Sequence, residues 1–195
     1  SLSELEVDAK IQFRDMITTE EIQQTLIKTA VDKIDIDRPN WTFVAARLFL
    51  FDLYHKVTGF NGYNHLKDYL VKGEKVGRII PGLKEKYDLE DLNAYIKPER
   101  DLQFAYLGIK TLYDRYLIKD KSGMPIELPQ HMFMAIAMFL AQNELDSQGW
   151  AKKFYDLISK FEVMLATPTL SNARTTRHQL SSCYVGSTPD NIEGI

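Results

Sequence analysis

From Pro129 to Asn143 the chain has almost no polar face: Met132, Phe133, Ile136, Met138, Phe139 and Leu140 fall all round any helix drawn through them. An amphipathic helix covers one side of a core, whereas a helix that is apolar on every side has to be enclosed by others. The sequence therefore predicts a helical assembly with this segment at its centre.

The flanking segments carry the narrower stripes such a centre needs. Thr18 with Glu21 forms a capping box, and Ile22, Leu26, Ile27, Ala30, Val31 and Ile34 follow at helical spacing. Pro39 fits the first turn of the next helix, in which Trp41, Val44, Ala45 and Leu48 form a stripe that Phe49, Leu50 and Phe51 widen. A third helix is expected from Tyr63 to Val71, with Gly73 as its C-terminal cap. Asp88 caps a short helix ending at Pro98, and another runs from Glu99 to Tyr113. Ser147 opens the last long helix, with Trp150, Phe154, Leu157, Ile158 and Phe161 expected inward.

Two regions read differently. Tyr116–Lys119 and Met124–Leu128 flank the turn-like Asp120-Lys-Ser-Gly123, which predicts a small β-hairpin with Pro125 at an edge. After Phe161 the helical period is lost, and Val163–Leu165 and Gln179–Val185 are β-prone. The predicted fold is mainly α, with a small β-hairpin and the beginning of a sheet at the C-terminal end.

Composition excludes several functions. No apolar run approaches the roughly 20 residues of a membrane-spanning helix, and no signal peptide opens the chain. A net charge of -3 argues against capture of DNA by the whole chain. The single cysteine, Cys183, excludes an internal disulfide, so a reducing, cytoplasmic setting is expected. The start at Ser1 without Met and the close on Asp190-Asn-Ile-Glu-Gly-Ile195 read as cut ends.

Chemistry is expected where composition changes. Thr167, Thr169, Ser171, Asn172, Thr175, Thr176, Ser181 and Ser182 lie beside Arg174, Arg177 and His178, a mixture that suits phosphate or diphosphate. The same residues also make an ordinary polar loop, and composition alone favours the loop. Two arginines and a histidine would favour a thiolate at Cys183 if they faced it, although an isolated cysteine is more often inert. His55, His65, His131 and His178 are too scattered for a zinc site, and no metal is predicted. Lys72, Lys75 and Arg78, interspersed with Gly73 and Gly77, lack a phosphate-loop pattern and read as a solvated basic face.

The run from Ala166 to Val185, ATPTLSNARTTRHQLSSCYV, resembles the start of the catalytic barrel in the large subunit of class I ribonucleotide reductases. Val7–Phe13, Val44–Leu48, Lys97–Phe104 and Lys153–Asp156 extend that resemblance over essentially the whole chain. It implies reduction of ribonucleoside diphosphates to 2′-deoxyribonucleoside diphosphates by radical chemistry in a ten-stranded α/β barrel. A pair of cysteines there becomes a disulfide as the 2′-hydroxyl leaves as water, and Cys183 matches the first of that pair. Ser182 matches a position lining the substrate ribose, and Thr167 one contacting the substrate phosphates. Asp190 matches a residue binding the specificity effector.

Residues 1–56 resemble the C-terminal part of an ATP cone. Thr19 there matches an ATP-contacting position, and His55 stands in place of a lysine; Gln23 and Asp52 replace histidines, so tight ATP binding by this chain is not expected. Residues 57–178 correspond to the helical domain and 179–195 to the first barrel strand. The chain itself carries no cofactor by this reading. The implied partners are the substrate diphosphate, ATP and deoxynucleotide effectors, a small β subunit that supplies the radical, thioredoxin or glutaredoxin as reductant, and a second large subunit. The radical-bearing cysteine and the second thiol of the pair lie beyond Ile195 in the family, so the isolated chain is expected to be inactive.

Two other readings stay open on sequence. One is a stand-alone helical interaction module with an inert Cys183. The weaker is a cysteine nucleophile paired with His178, which would point to the opposite face of the same strand.

Overall fold

The structure, a computed structural model, describes residues 2–10, 12–187, 189–190 and 192, so the expected element at 190–195 lies largely outside the described residues. Among these residues there are nine α-helices and no β-strand. They are α1 (Leu2–Lys10), α2 (Thr19–Asp32), α3 (Trp41–Thr58), α4 (Leu66–Lys75), α5 (Leu89–Tyr95), α6 (Tyr106–Arg115), α7 (Pro129–Ala141), α8 (Ser147–Ser159) and α9 (Thr167–Asn172), with 3-10 turns at Lys84–Lys86 and Pro98–Gln103.

The helix that is apolar all round takes the central place. In α7 every residue from Pro129 to Met138 is buried, and α8 packs along it. The expected capping box forms at the start of α2, with the Thr18 hydroxyl accepting the Glu21 N–H at 3.2 Å and Glu21 accepting the Thr18 N–H at 2.9 Å. Helix α3 lies between α2 and α6, so Ala45 faces one hydrophobic cluster while Ala46, Phe49 and Leu53 face the main core.

Several boundaries differ from expectation. Pro39 lies just before α3 rather than in its first turn. Gly73 is inside α4 rather than at its cap: a Cβ there would sit 2.3 Å from Ile79 Cδ1, so the glycine is needed to let Ile79 approach. The turn after α4 is made by Gly77, at φ +71°. Pro98 starts a 3-10 turn, and α6 begins only at Tyr106. Helix α8 is capped by Asp146 and turns Ala151, Tyr155 and Ile158 inward, leaving Trp150 and Leu157 on its outer side.

The expected hairpin does not form strands. The chain reverses between Asp120 and Gly123, but only one antiparallel bridge, Lys119 with Pro125, is present. The bonds flanking it form, Asp120 N–H to the Met124 carbonyl at 2.9 Å and Ile126 N–H to the Ile118 carbonyl at 3.0 Å, but the Ile118 N–H goes to the Glu127 carboxylate at 2.9 Å rather than to a facing carbonyl, so the ladder stops there. Nor does Gln179–Val185 form a barrel strand. Its side chains are exposed apart from the half-buried Leu180, and it has no ladder partner among the described residues. Val163 instead closes the end of α8, its N–H bonding the Leu157 carbonyl at 3.2 Å.

Polar groups inside the core are paired with care. Asp101, fully buried, accepts the Tyr54 hydroxyl at 2.7 Å, the Tyr63 hydroxyl at 2.5 Å and Gln130 Nε2 at 2.7 Å. Burial outweighs these donors and raises its pKa to about 6. His131 stacks on Tyr69, and its Nε2 donates to the Asn64 carbonyl at 3.1 Å, while Nδ1 has no partner. Burial therefore pushes the His131 pKa down to about 3, below the ordinary histidine value.

The two shifts act on stability in opposite directions. Below the ordinary histidine pKa of about 6.5 the unfolded chain takes up a proton that folded His131 refuses, so stability falls with pH. Folded Asp101 takes up its proton earlier than the unfolded chain does, so its contribution rises as pH drops through 6. The Asp101 slope is common to wild type and a His131→Gln variant and cancels between them. Lowering the pH from 7 to 5 should therefore cost wild type about 2 kcal/mol relative to the variant. Urea unfolding at the two pH values checks this; an unchanged difference would show that His131 does not titrate as described.

Candidate functional site

The segment that carries most of the candidate residues is organised by a buried ion pair. Arg174 and Glu127 are both fully buried. Arg174 Nε donates to Glu127 Oε1 and Nη2 to Oε2, each at 2.6 Å, a bidentate arrangement. Arg174 Nη2 also donates to the Tyr116 carbonyl at 2.8 Å and Nη1 to the Leu170 carbonyl at 2.6 Å. Glu127 accepts the Tyr69 hydroxyl as well as the Ile118 N–H. The guanidinium is thus committed to structure. Arg174 does not belong to an anion cluster, because its donors point into the core.

Around this pair the other candidates take their places. Thr167 opens α9, followed by Pro168, and its Oγ1 lies 3.2 Å from the Tyr116 hydroxyl. It borders an apolar groove formed by Phe104, Leu107, Phe161 and Met164. Asn172 Nδ2 donates to the Gln179 carbonyl at 2.9 Å, tying the next segment back to α9. Cys183 then lies exposed, its Sγ 3.8 Å from Ser182 Oγ.

The cations expected to activate this thiol do not face it. Arg174 is buried against Glu127, and the His178 ring lies 5.5 Å from that of Phe139. The structure gives no geometric support to a Cys183–His178 nucleophile. What it brings together instead is Arg177, Ser171, Thr175 and Thr176 along one cleft.

Thr19 and His55 meet in a separate cleft on α2 and α3, with Gln23, Phe51 and Asp52. Its lysine, Lys56, is already paired, at 2.8 Å to Asp52 and 3.4 Å to Glu20. Asp190 is exposed at a bend. Among the described residues no group of three His, Cys, Asp or Glu is placed to hold a metal ion, and no helix is long and apolar enough to cross a membrane.

Comparison with known proteins places this geometry. A family model described as "Ribonucleotide reductase, all-alpha domain" matches residues 102–178, from the 3-10 turn before α6 to His178. The chain is 75% identical, over its full length, to the ribonucleoside-diphosphate reductase subunit alpha of Helicobacter pylori strain 26695, of which it covers 25%. It is 35% identical, again over its full length, to the Escherichia coli K12 subunit 1 alpha, of which it covers 26%. The Treponema pallidum alpha subunit is 38% identical over 88% of this chain.

Over its whole length the chain is similar to ribonucleotide reductase large subunits. It spans about a quarter of the length of the curated relatives it matches. The region matched by the all-alpha-domain model holds α6 to α9 and both residues of the Arg174–Glu127 pair. Sequence reasoning missed Glu127 as a partner. The available signal was a carboxylate inside the apolar run Pro125-Ile-Glu-Leu128, since a buried carboxylate requires a cation or several donors.

Proposed function

We propose that this chain is part of a ribonucleoside-diphosphate reductase large subunit, and that Cys183 is one thiol of the redox pair that reduces the substrate. In this reading the two thiols lose two electrons and become a disulfide, while the ribose 2′-hydroxyl leaves as water. The chain contains one cysteine, so the second thiol comes from elsewhere in the protein. The observation that carries the proposal is the 75% identity to a ribonucleoside-diphosphate reductase alpha subunit across all 195 residues.

The residue roles follow the same reading. Ser182 and Thr167 contact the substrate ribose and phosphates, and Asp190 contributes to the specificity-effector site. Cys183 and Ser182 lie side by side, Sγ 3.8 Å from Oγ, which suits a redox thiol and a ribose contact acting on one substrate. Residues 179–195 are the start of the catalytic α/β barrel in sequence, the rest of which lies outside this chain. Residues 1–56 form an incomplete ATP cone and residues 57–178 the helical domain. Thr19 and His55 lining one cleft supports a nucleotide site there, with low affinity because Asp52 and Glu20 already hold Lys56.

The partners are the substrate diphosphate, nucleotide effectors, the radical-supplying β subunit, thioredoxin or glutaredoxin, and a second large subunit, in the cytoplasm. The test is product formation. At the relatives' full length and with its β subunit, the protein should convert a ribonucleoside diphosphate to its 2′-deoxy form, while the isolated chain should form none. Absence of deoxynucleotide from the complete, radical-loaded assembly would overturn the proposal.

A further inference from the structure

Arg78 reads in sequence as part of a solvated basic face and Arg177 as part of a distant polar cluster, but the fold sets both on one cleft. Arg115, at the end of α6, and Lys119, just beyond it, line the same cleft together with Ser171 and Thr176. No acidic side chain lines it. Among the described residues none of these four cations forms an ion pair, although Lys119 lies over the Tyr113 ring at 4.2 Å. Elsewhere on the surface, among the described residues, some cations are paired and others, such as Lys28 and Lys67, are not, so what distinguishes these four is that they line one cleft. Lys33, Lys56, Lys84, Arg100 and Lys152 each have a carboxylate within 3.1 Å.

Four unpaired positive charges on one concave surface repel one another, and solvation alone gives no reason to collect them. The walls that carry them are nevertheless fixed. Arg174 binds the Tyr116 carbonyl below Arg115 and Lys119, and its own carbonyl accepts the Ile80 N–H at 3.1 Å, two residues from Arg78. The antiparallel bridge between Ile79 and Thr175 joins the same two segments. The buried pair therefore holds three cation-bearing segments around one space before any ligand arrives, so little ordering cost remains for binding.

We propose that this cleft binds the phosphate groups of a polyphosphate, through Arg78, Arg115, Lys119 and Arg177, with Ser171 and Thr176 as additional donors. A single carboxylate would neutralise one of the four charges, whereas a chain of linked phosphates presents several charges and many oxygens to arginine forks. The site is separate from Thr167, Ser182 and Cys183 and from the Thr19–His55 cleft, none of which line it. It stands independently of the reductase reading, because it rests on the convergence of charges alone.

Calorimetric titration of the chain with sodium tripolyphosphate at low ionic strength tests this. Saturable binding is expected with a sub-millimolar dissociation constant, weakened by about tenfold or more in the Arg78→Gln, Arg177→Gln double variant. Both side chains are exposed, so circular dichroism and the urea midpoint should not change. A charge-matched control, Lys28→Gln with Lys67→Gln, should retain wild-type affinity. ATP run in parallel distinguishes the ligand source: affinity equal to that of tripolyphosphate means that phosphates alone are read, and tighter binding lost with the same two arginines means that a nucleoside is read as well. Absence of saturation in the millimolar range, or equal weakening by the control pair, would overturn the proposal.

Discussion

Replacing Arg174 with methionine should destabilise the chain by roughly 3–5 kcal/mol, because the change leaves a carboxylate buried without its counter-ion. Glu127 and Arg174 are both fully buried, and five further groups depend on them: the Tyr69 hydroxyl, the Ile118 N–H, the Tyr116 and Leu170 carbonyls and, through the Arg174 backbone, the Ile80 N–H. Methionine fills much of the space but offers none of the donors. The Glu127→Leu change alone should be comparably damaging, since it strands the guanidinium instead.

Removing both charges together should cost less than the sum of the single changes, because neither ion is then left uncompensated. Recovery should remain incomplete, as the hydroxyl and backbone groups still lose partners. Urea denaturation of the two single variants and the double variant measures all three terms. A loss below about 1 kcal/mol for Arg174→Met would place this pair among weak surface bridges and contradict its role as the clamp of the fold.

This pair also shows where sequence reading succeeds and where it stops. The helix apolar on all sides was legible because burial of a whole helix leaves a mark at every residue, from Pro129 to Met138. The α2 capping box was legible because Thr18 and Glu21 interact locally. Arg174 was not, because an arginine among threonines has the same local signature whether it turns outward or inward; only Glu127, 47 positions away, decides. The hairpin failed for a related reason. Asp120-Lys-Ser-Gly123 does reverse the chain, but a distant arginine draws in Glu127, whose carboxylate takes the N–H that a ladder would have used. Ile158 and Phe154 turn inward as expected, but Trp150 and Leu157, equally apolar, do not, because the register of α8 is set by Tyr155, whose hydroxyl donates to Gln130 in α7 at 2.7 Å.

The expectation for the candidate site rests mainly on the resemblance of residues 166–185. The structure brings Thr19 and His55 to one cleft and leaves Cys183 exposed beside Ser182, but it sets Arg174 and His178 apart from the thiol. The cleft of Arg78, Arg115, Lys119 and Arg177 was not legible at all, since its members come from three segments whose meeting depends on the buried pair.

The second large effect concerns Cys183. Its sulfur can serve as an electron donor only in company with another thiol, and a hydroxyl in its place can accept a hydrogen bond but cannot form a disulfide. The Cys183→Ser variant of the full-length protein should therefore fold normally, because serine differs from cysteine by one atom of similar size, and yet fail in reduction. A loss of folding would instead assign the residue a structural role.

The most direct measurement is deoxynucleotide formation from a ribonucleoside diphosphate by the full-length protein with its β subunit, with and without thioredoxin. Prereduced wild type should form product in proportion to its own thiol pairs when no reductant is added and turn over continuously when thioredoxin is supplied, whereas Cys183→Ser should form no deoxynucleotide under either condition. Sustained turnover by the serine variant with thioredoxin would contradict the assignment of Cys183 as half of the redox couple.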